Sequence, residues 1–80
     1  MSNPEQSRAA FAEAAISAYL ARQPFAADRI EGIHQWWIDW QGQIESIELT
    51  AQALERLKAA GVVECMPFGH TRIWRAARRA

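Results

Sequence analysis

The sequence predicts a mainly α single domain closed by a small β-hairpin. Helices are expected over about 4–22, 28–40 and 47–60, the hairpin over about 62–76, and a basic tail over 75–80. Three observations predict this. Apolar residues recur at helical spacing in three segments, each with a start and a stop signal. Two short β-prone runs, VVECM and TRIW, follow them around Pro67-Phe68-Gly69-His70. Finally, 80 residues suffice for one domain only, which buries roughly 60 % of the surface its unfolded chain exposes.

The first helix opens at Asn3-Pro4-Glu5-Gln6. Asn3 is placed to cap, Pro4 suits the first helical position, and Gln6 stands three residues after the cap as in a capping box. Ala12, Ala15, Ile16, Tyr19 and Leu20 form its apolar stripe. Pro24 ends it by pushing Gln23 out of the α region. Pro24-Phe25-Ala26 leaves room for no more than a strand stub.

Asp28 followed by Glu31 reads as a second capping box, opening a helix from about Arg29. The stretch IEGIHQWWIDWQG, residues 30–42, holds three of the four tryptophans. Ile30, Ile33, His34 and Trp37 fall at i, i+3, i+4 and i+7, so Trp37 belongs to the core. Trp36 and Trp40 are four apart on one flank, wider than one small core needs. Two readings stand for them, filling the core or offering an interface. Gly32 costs about 1 kcal/mol in a helix interior relative to Ala, and the gap it leaves admits another side chain or another helix. Gly42 is the expected C-cap.

Ser46 is positioned to cap the third helix, IELTAQALERLKAA, with Glu48 in the first turn. Ile47, Ala51, Leu54 and Leu57 make its apolar stripe, and Gly61 stops it. The hairpin after it is expected to turn through a four-residue loop, Pro67 to His70.

Half of the residues are apolar and 22 % are charged, a globular composition. No apolar run approaches the roughly 20 residues that span a bilayer, and the opening lacks the pattern of a secretory signal. A single cysteine allows no internal disulfide, so a cytoplasmic location is expected. Formal net charge is zero, yet residues 1–64 carry five Lys/Arg against nine Asp/Glu, whereas Arg72, Arg75, Arg78 and Arg79 follow without an acid. That end reads either as a basic arm for a polyanion or as a solvated tail.

Catalytic, cofactor and metal chemistry all lack a constellation. Cys65, His34 and His70 lie on different elements at spacings that match no metal site. Nothing in the sequence activates the Cys65 thiol, which reads as structural. His34 reads as a satisfied core or rim histidine. The four glycines are scattered, so no phosphate-binding loop exists. The expectation is a protein that is not an enzyme and takes no cofactor or metal.

The run LTAQALERLKAAGVVECMPFGHTRIWRA resembles the third helix and wing of winged helix-turn-helix domains, with Leu54, Leu57, Gly61, Val62 and Trp74 at core and turn positions. PFAADRIEGIHQWW would then be the short strand and second helix of a winged-helix-like domain. WQGQIES departs from the pattern by being longer than the tight turn of its simplest members. The resemblance implies double-stranded DNA as partner, with the third helix in the major groove and the wing on the backbone. Thr50, Gln52 and Arg56 on that helix and His70, Thr71, Arg72, Arg75, Arg78 and Arg79 on the wing and tail are the residues it points to. Glu45 and Glu48 oppose it by repelling phosphates, and a dimer would double the basic contacts. The alternative is a protein-interaction or dimerisation module without DNA binding, using Phe11, Trp36, Trp40 and Phe68.

Overall fold

The computed structural model describes residues 4–78, with side chains from residue 7 onward. Among the described residues the elements run α1 (Pro4–Arg22), β1 (Ala27–Asp28), α2 (Ile30–Gly32, continued by the π-helical turns Ile33–Trp37), α3 (Ile47–Ala59), β2 (Val63–Phe68) and β3 (Thr71–Ala76). The strands form one antiparallel sheet in the order β1-β3-β2. Three helical segments with a hairpin sealed by a short upstream strand are compatible with a winged-helix-like arrangement. The expected cap at Asn3 and the expected basic residue Arg79 lie outside the described residues.

The core lies where the three helices meet the inner face of the sheet. Ala12, Ile16 and Leu20 of α1, Ile33 and Trp37 of α2, Ala53, Leu54 and Leu57 of α3, and Val63 and Trp74 of the sheet join in one buried cluster with Ile38. Small alanines on α1 let α3 approach closely. Tyr19 stacks on Trp37 with centroids 4.6 Å apart, and Arg22 lies over the Tyr19 ring at 5.9 Å.

Gly61 ends α3 as expected, through a Schellman motif. It adopts φ +78°, its N–H donates to the Lys58 carbonyl at 3.0 Å, and Val62 N–H donates to Leu57 at 2.8 Å. The buried stripe of α3, however, is rotated from the expected one. Leu49, Thr50, Ala53, Leu54 and Leu57 are buried, whereas Ile47 is exposed and Ala51 only half-buried. The half-buried His34 side chain explains part of the rotation by drawing Thr50 inward as its hydrogen-bond partner. Ser46 does occupy the N-cap position, but its hydroxyl makes no capping bond.

The second helix is shorter than expected and differently capped. It starts at Ile30 with Arg29 as N-cap, and no side chain caps it. Asp28 instead pairs with Trp74 in the sheet, while its Oδ1 accepts the Arg29 N–H at 2.7 Å. The gap above Gly32 is filled by this same Asp28 carboxylate, and no second helix enters it. The helix ends at Trp37, because Ile38 turns extended (φ −109°, ψ 122°). Trp37 at the helix end and Ile38 on the extended step are both buried in the core. Gly42 is therefore no helix cap. It sits in the connection, at φ +134°, next to Gln41 at φ +56°.

The hairpin turn also differs from expectation. Phe68 pairs with Thr71, so the connection is the two residues Gly69 and His70, with Gly69 at φ +62°. A two-residue turn with a positive-φ glycine first matches the twist of the flanking strands.

Candidate interaction surfaces

The alternation of β2 and β3 divides the sheet into two faces. Val63, Cys65, Trp74 and Ala76 point toward the helices. Glu64, Met66, Phe68, Thr71, Ile73 and Arg75 point away from them, joined across β1 by Ala27. No element among those described covers this outer face. Phe68 is 71 % exposed beside the cross-strand pair Met66–Ile73. Ala27, Met66, Phe68 and Ile73 line a shallow groove of about 280 Å³. At the other end of the sheet Phe25 is 89 % exposed and lines a cleft with Arg75, Ala77 and Arg78. Sequence reasoning found Phe68 but missed Met66, Ile73 and Phe25. Met66 and Ile73 were legible from the two-residue period once Trp74 is assigned inward, whereas Phe25 lies in a turn with no period.

Two of the arginines expected at DNA, Arg56 and Arg75, are paired with carboxylates within the chain. Arg75 Nε donates to Glu64 Oε2 at 2.6 Å across the strands, and Arg78 N–H contacts Glu64 Oε1 at 3.4 Å. The Arg75 guanidinium and the Arg78 amide together hold the Glu64 carboxyl below its ordinary range. Arg56 lies 3.0 Å from Glu13 on α1, and Arg8 lies 3.3 Å from Glu45. Thr50 is fully buried, its Oγ1 2.7 Å from His34 Nδ1, so its expected place at a duplex is corrected to one inside the core. Gln52, His70, Arg72 and Arg78 remain exposed, and Thr71 is half-buried. The exposed side of α3 presents Glu48 and Glu55 beside Gln52. A groove between α3 and the wing tip is lined by Glu31 and Glu55 as well as His70 and Arg72. Its sign is mixed where a phosphate-binding cleft would be positive.

The aromatic flank expected at Trp36 and Trp40 is not continuous. Trp36 is 75 % exposed on the π-helical turn. Trp40 lies beyond the helix and folds back against the core, its Nε1–H donating to the His34 carbonyl at 2.8 Å. That bond satisfies an orphan carbonyl at the helix end. The Trp40 ring also tilts over His34 at 5.2 Å and against Phe11 at 6.2 Å, so Phe11 is partly covered. Of the four residues expected at an interface, Trp36 and Phe68 are openly presented and Trp40 is structural. Cys65 is a free, half-buried thiol opposite Trp74 on the inner face of the sheet.

Among the described residues no group of three His, Cys, Asp or Glu could hold a metal ion. No helix among them is long and apolar enough to cross a membrane. No family model, curated protein or solved structure matches the chain.

Proposed function

We propose that the chain is a non-enzymatic, winged-helix-like module of the cytoplasm that docks onto protein through the outer face of its sheet. The observation that carries this reading is the uncovered apolar strip at the wing, Phe68 beside Met66 and Ile73. A single exposed aromatic is ordinary on a protein surface, but one with apolar neighbours on a rigid face suits an interface. The chemistry of α3 supports the same reading by contrast. Its exposed acids Glu48 and Glu55 offset Lys58, and its arginine is paired with Glu13.

The test is co-purification from cells that make the protein, comparing wild type with Phe68→Asp. The expected result is a bound protein, present at wild-type yield and lost in the variant although its thermal melt is unchanged. Retention of every bound protein by Phe68→Asp would contradict the reading.

DNA binding stands as the second reading because His70 and Arg72 are exposed around the turn of the wing. Under it, a labelled random duplex binds tighter than about 10⁻⁵ M at low salt and is released steeply as salt rises. The double variant Arg72→Ala/Arg75→Ala would then lose that affinity. The docking reading expects no binding at low salt.

A further inference from the structure

We propose that the cleft at the β1 end of the sheet binds a nucleotide unit, a phosphate that carries a flat ring. This goes beyond the docking reading and uses a different surface, so either can fail alone. Three observations carry it.

The first is how the cleft forms. β1 pairs with β3 over two residues only, Ala27 with Arg75 and Asp28 with Trp74. Just before them Pro24 and Phe25 turn the chain aside, and the Ala26 N–H closes that turn on the Gln23 carbonyl at 3.1 Å. The continuation of β3 is held on its other side, where Ala77 N–H donates to the Val62 carbonyl at 3.0 Å. The two segments therefore part, and the opening between residues 24–26 and 75–78 has a volume of about 580 Å³. That lies within the usual range for small-molecule sites, about 300–1,000 Å³.

The second is charge. Arg75 and Arg78 line this cleft without an acid. By contrast, Glu45 lines the cleft of Arg8, Asp39 that of Arg22, and Glu31 and Glu55 that of Arg72. Glu64 engages Arg75 through Nε alone, at 2.6 Å. A guanidinium also donates from both Nη groups, so Glu64 fixes the side chain and leaves those donors for a second oxyanion. Glu64 meets only the backbone N–H of Arg78, at 3.4 Å, and the Arg78 guanidinium has no hydrogen-bond partner among the described residues. Two arginines against one glutamate leave the site net positive. Planar guanidinium groups match the oxygens of a phosphate.

The third is the ring. Phe25 is 89 % exposed, the most open of the large apolar side chains described, and it lines the same cleft as the arginines. An aromatic face beside cations takes a base by stacking and its phosphate by charge. Such a unit occurs free, as a mononucleotide, and within a single strand.

Amide chemical-shift titration of the full chain tests the proposal. The probes are adenosine monophosphate, adenosine, inorganic phosphate and a single-stranded DNA of about six nucleotides. The expected result is saturable shifts at Ala26, Ala76 and Ala77 with a nucleotide probe, and much weaker responses to adenosine or phosphate alone. Phe25→Ala and Arg78→Gln should each weaken that nucleotide by about 10-fold, the stacking loss being of that order, with their spectra confirming the fold. Phe68→Asp should bind it like wild type, whatever becomes of the docking reading. Half-saturation by the single strand at a lower concentration than the monophosphate identifies a strand as the source, and the reverse order identifies a free nucleotide. Absence of saturation by both nucleotide probes up to about 10 mM, or shifts centred away from the cleft, would overturn the site. Inorganic phosphate matching the monophosphate, with no loss in Phe25→Ala, would reduce it to a general anion contact and overturn it equally.

Discussion

The two faces of the sheet are built from the same strands by alternate residues, yet they have opposite fates. The inner face closes the core: Trp74 and Val63 are buried against the helices, and Cys65 packs against them. The outer face carries Met66, Phe68 and Ile73 with no element among those described lying above them. Apolar content alone does not separate the two faces. What separates them is whether helices are there to be packed against, so the inner residues contribute stability and the outer ones remain available for contact.

Four substitutions test the difference between the two faces. Trp74→Ala should have the largest effect, about 3–5 kcal/mol in urea unfolding, because a large buried ring leaves a cavity. For a small domain that is a major share of total stability. Thr50→Val tests the polar interior beneath the same sheet. It removes the hydroxyl 2.7 Å from His34 Nδ1 and should lower stability by about 1–3 kcal/mol. A change below about 0.5 kcal/mol would show that water serves His34 equally well. Phe68→Asp, on the outer face, should shift unfolding by no more than about 0.5 kcal/mol while abolishing contacts with protein. A large loss of stability there would make the outer face structural and erase the distinction.

The smallest effect concerns acid stability on the outer face. The Arg75 hydrogen bond, and secondarily the Arg78 amide, lower the Glu64 pKa in the folded chain from the ordinary 4.5. A depressed carboxyl contributes stability above its unfolded pKa and loses it as pH falls through the folded value. Glu64→Gln should therefore flatten a small decline in melting temperature that begins near pH 4.5 and continues below it. An identical acid profile in wild type and variant would remove the pair from the stability of the wing.

Much of this architecture was legible because its signals are local. The extent of α1, the stop at Gly61, the inward Trp37 and the two wing strands all follow from short-range chemistry in the chain. The misreadings share a different physical origin. Helical spacing carried the second helix through Trp40, but the chain leaves the helix at Ile38 and Trp40 folds back onto the His34 carbonyl, a tertiary contact that spacing does not reveal. The stripe of α3 was misplaced because Thr50 enters the core only with His34, sixteen residues away, to satisfy its hydroxyl. The Asp28–Glu31 capping box competed with Asp28's place in the sheet and lost. Arginine counts similarly could not reveal that Glu13 and Glu64 engage Arg56 and Arg75. The outer face was half-visible, since Phe68 stands out by itself whereas Met66 and Ile73 acquire meaning only from strand register.

The most direct test of the account places a photo-crosslinking aromatic residue at position 68 and, separately, at position 36, in cells that make the protein. Both positions are open to solvent, so exposure alone cannot separate them. The account predicts protein adducts from position 68 and none above background from position 36. Adducts from position 36 alone would move the interface to the helical end and contradict the role assigned to the wing.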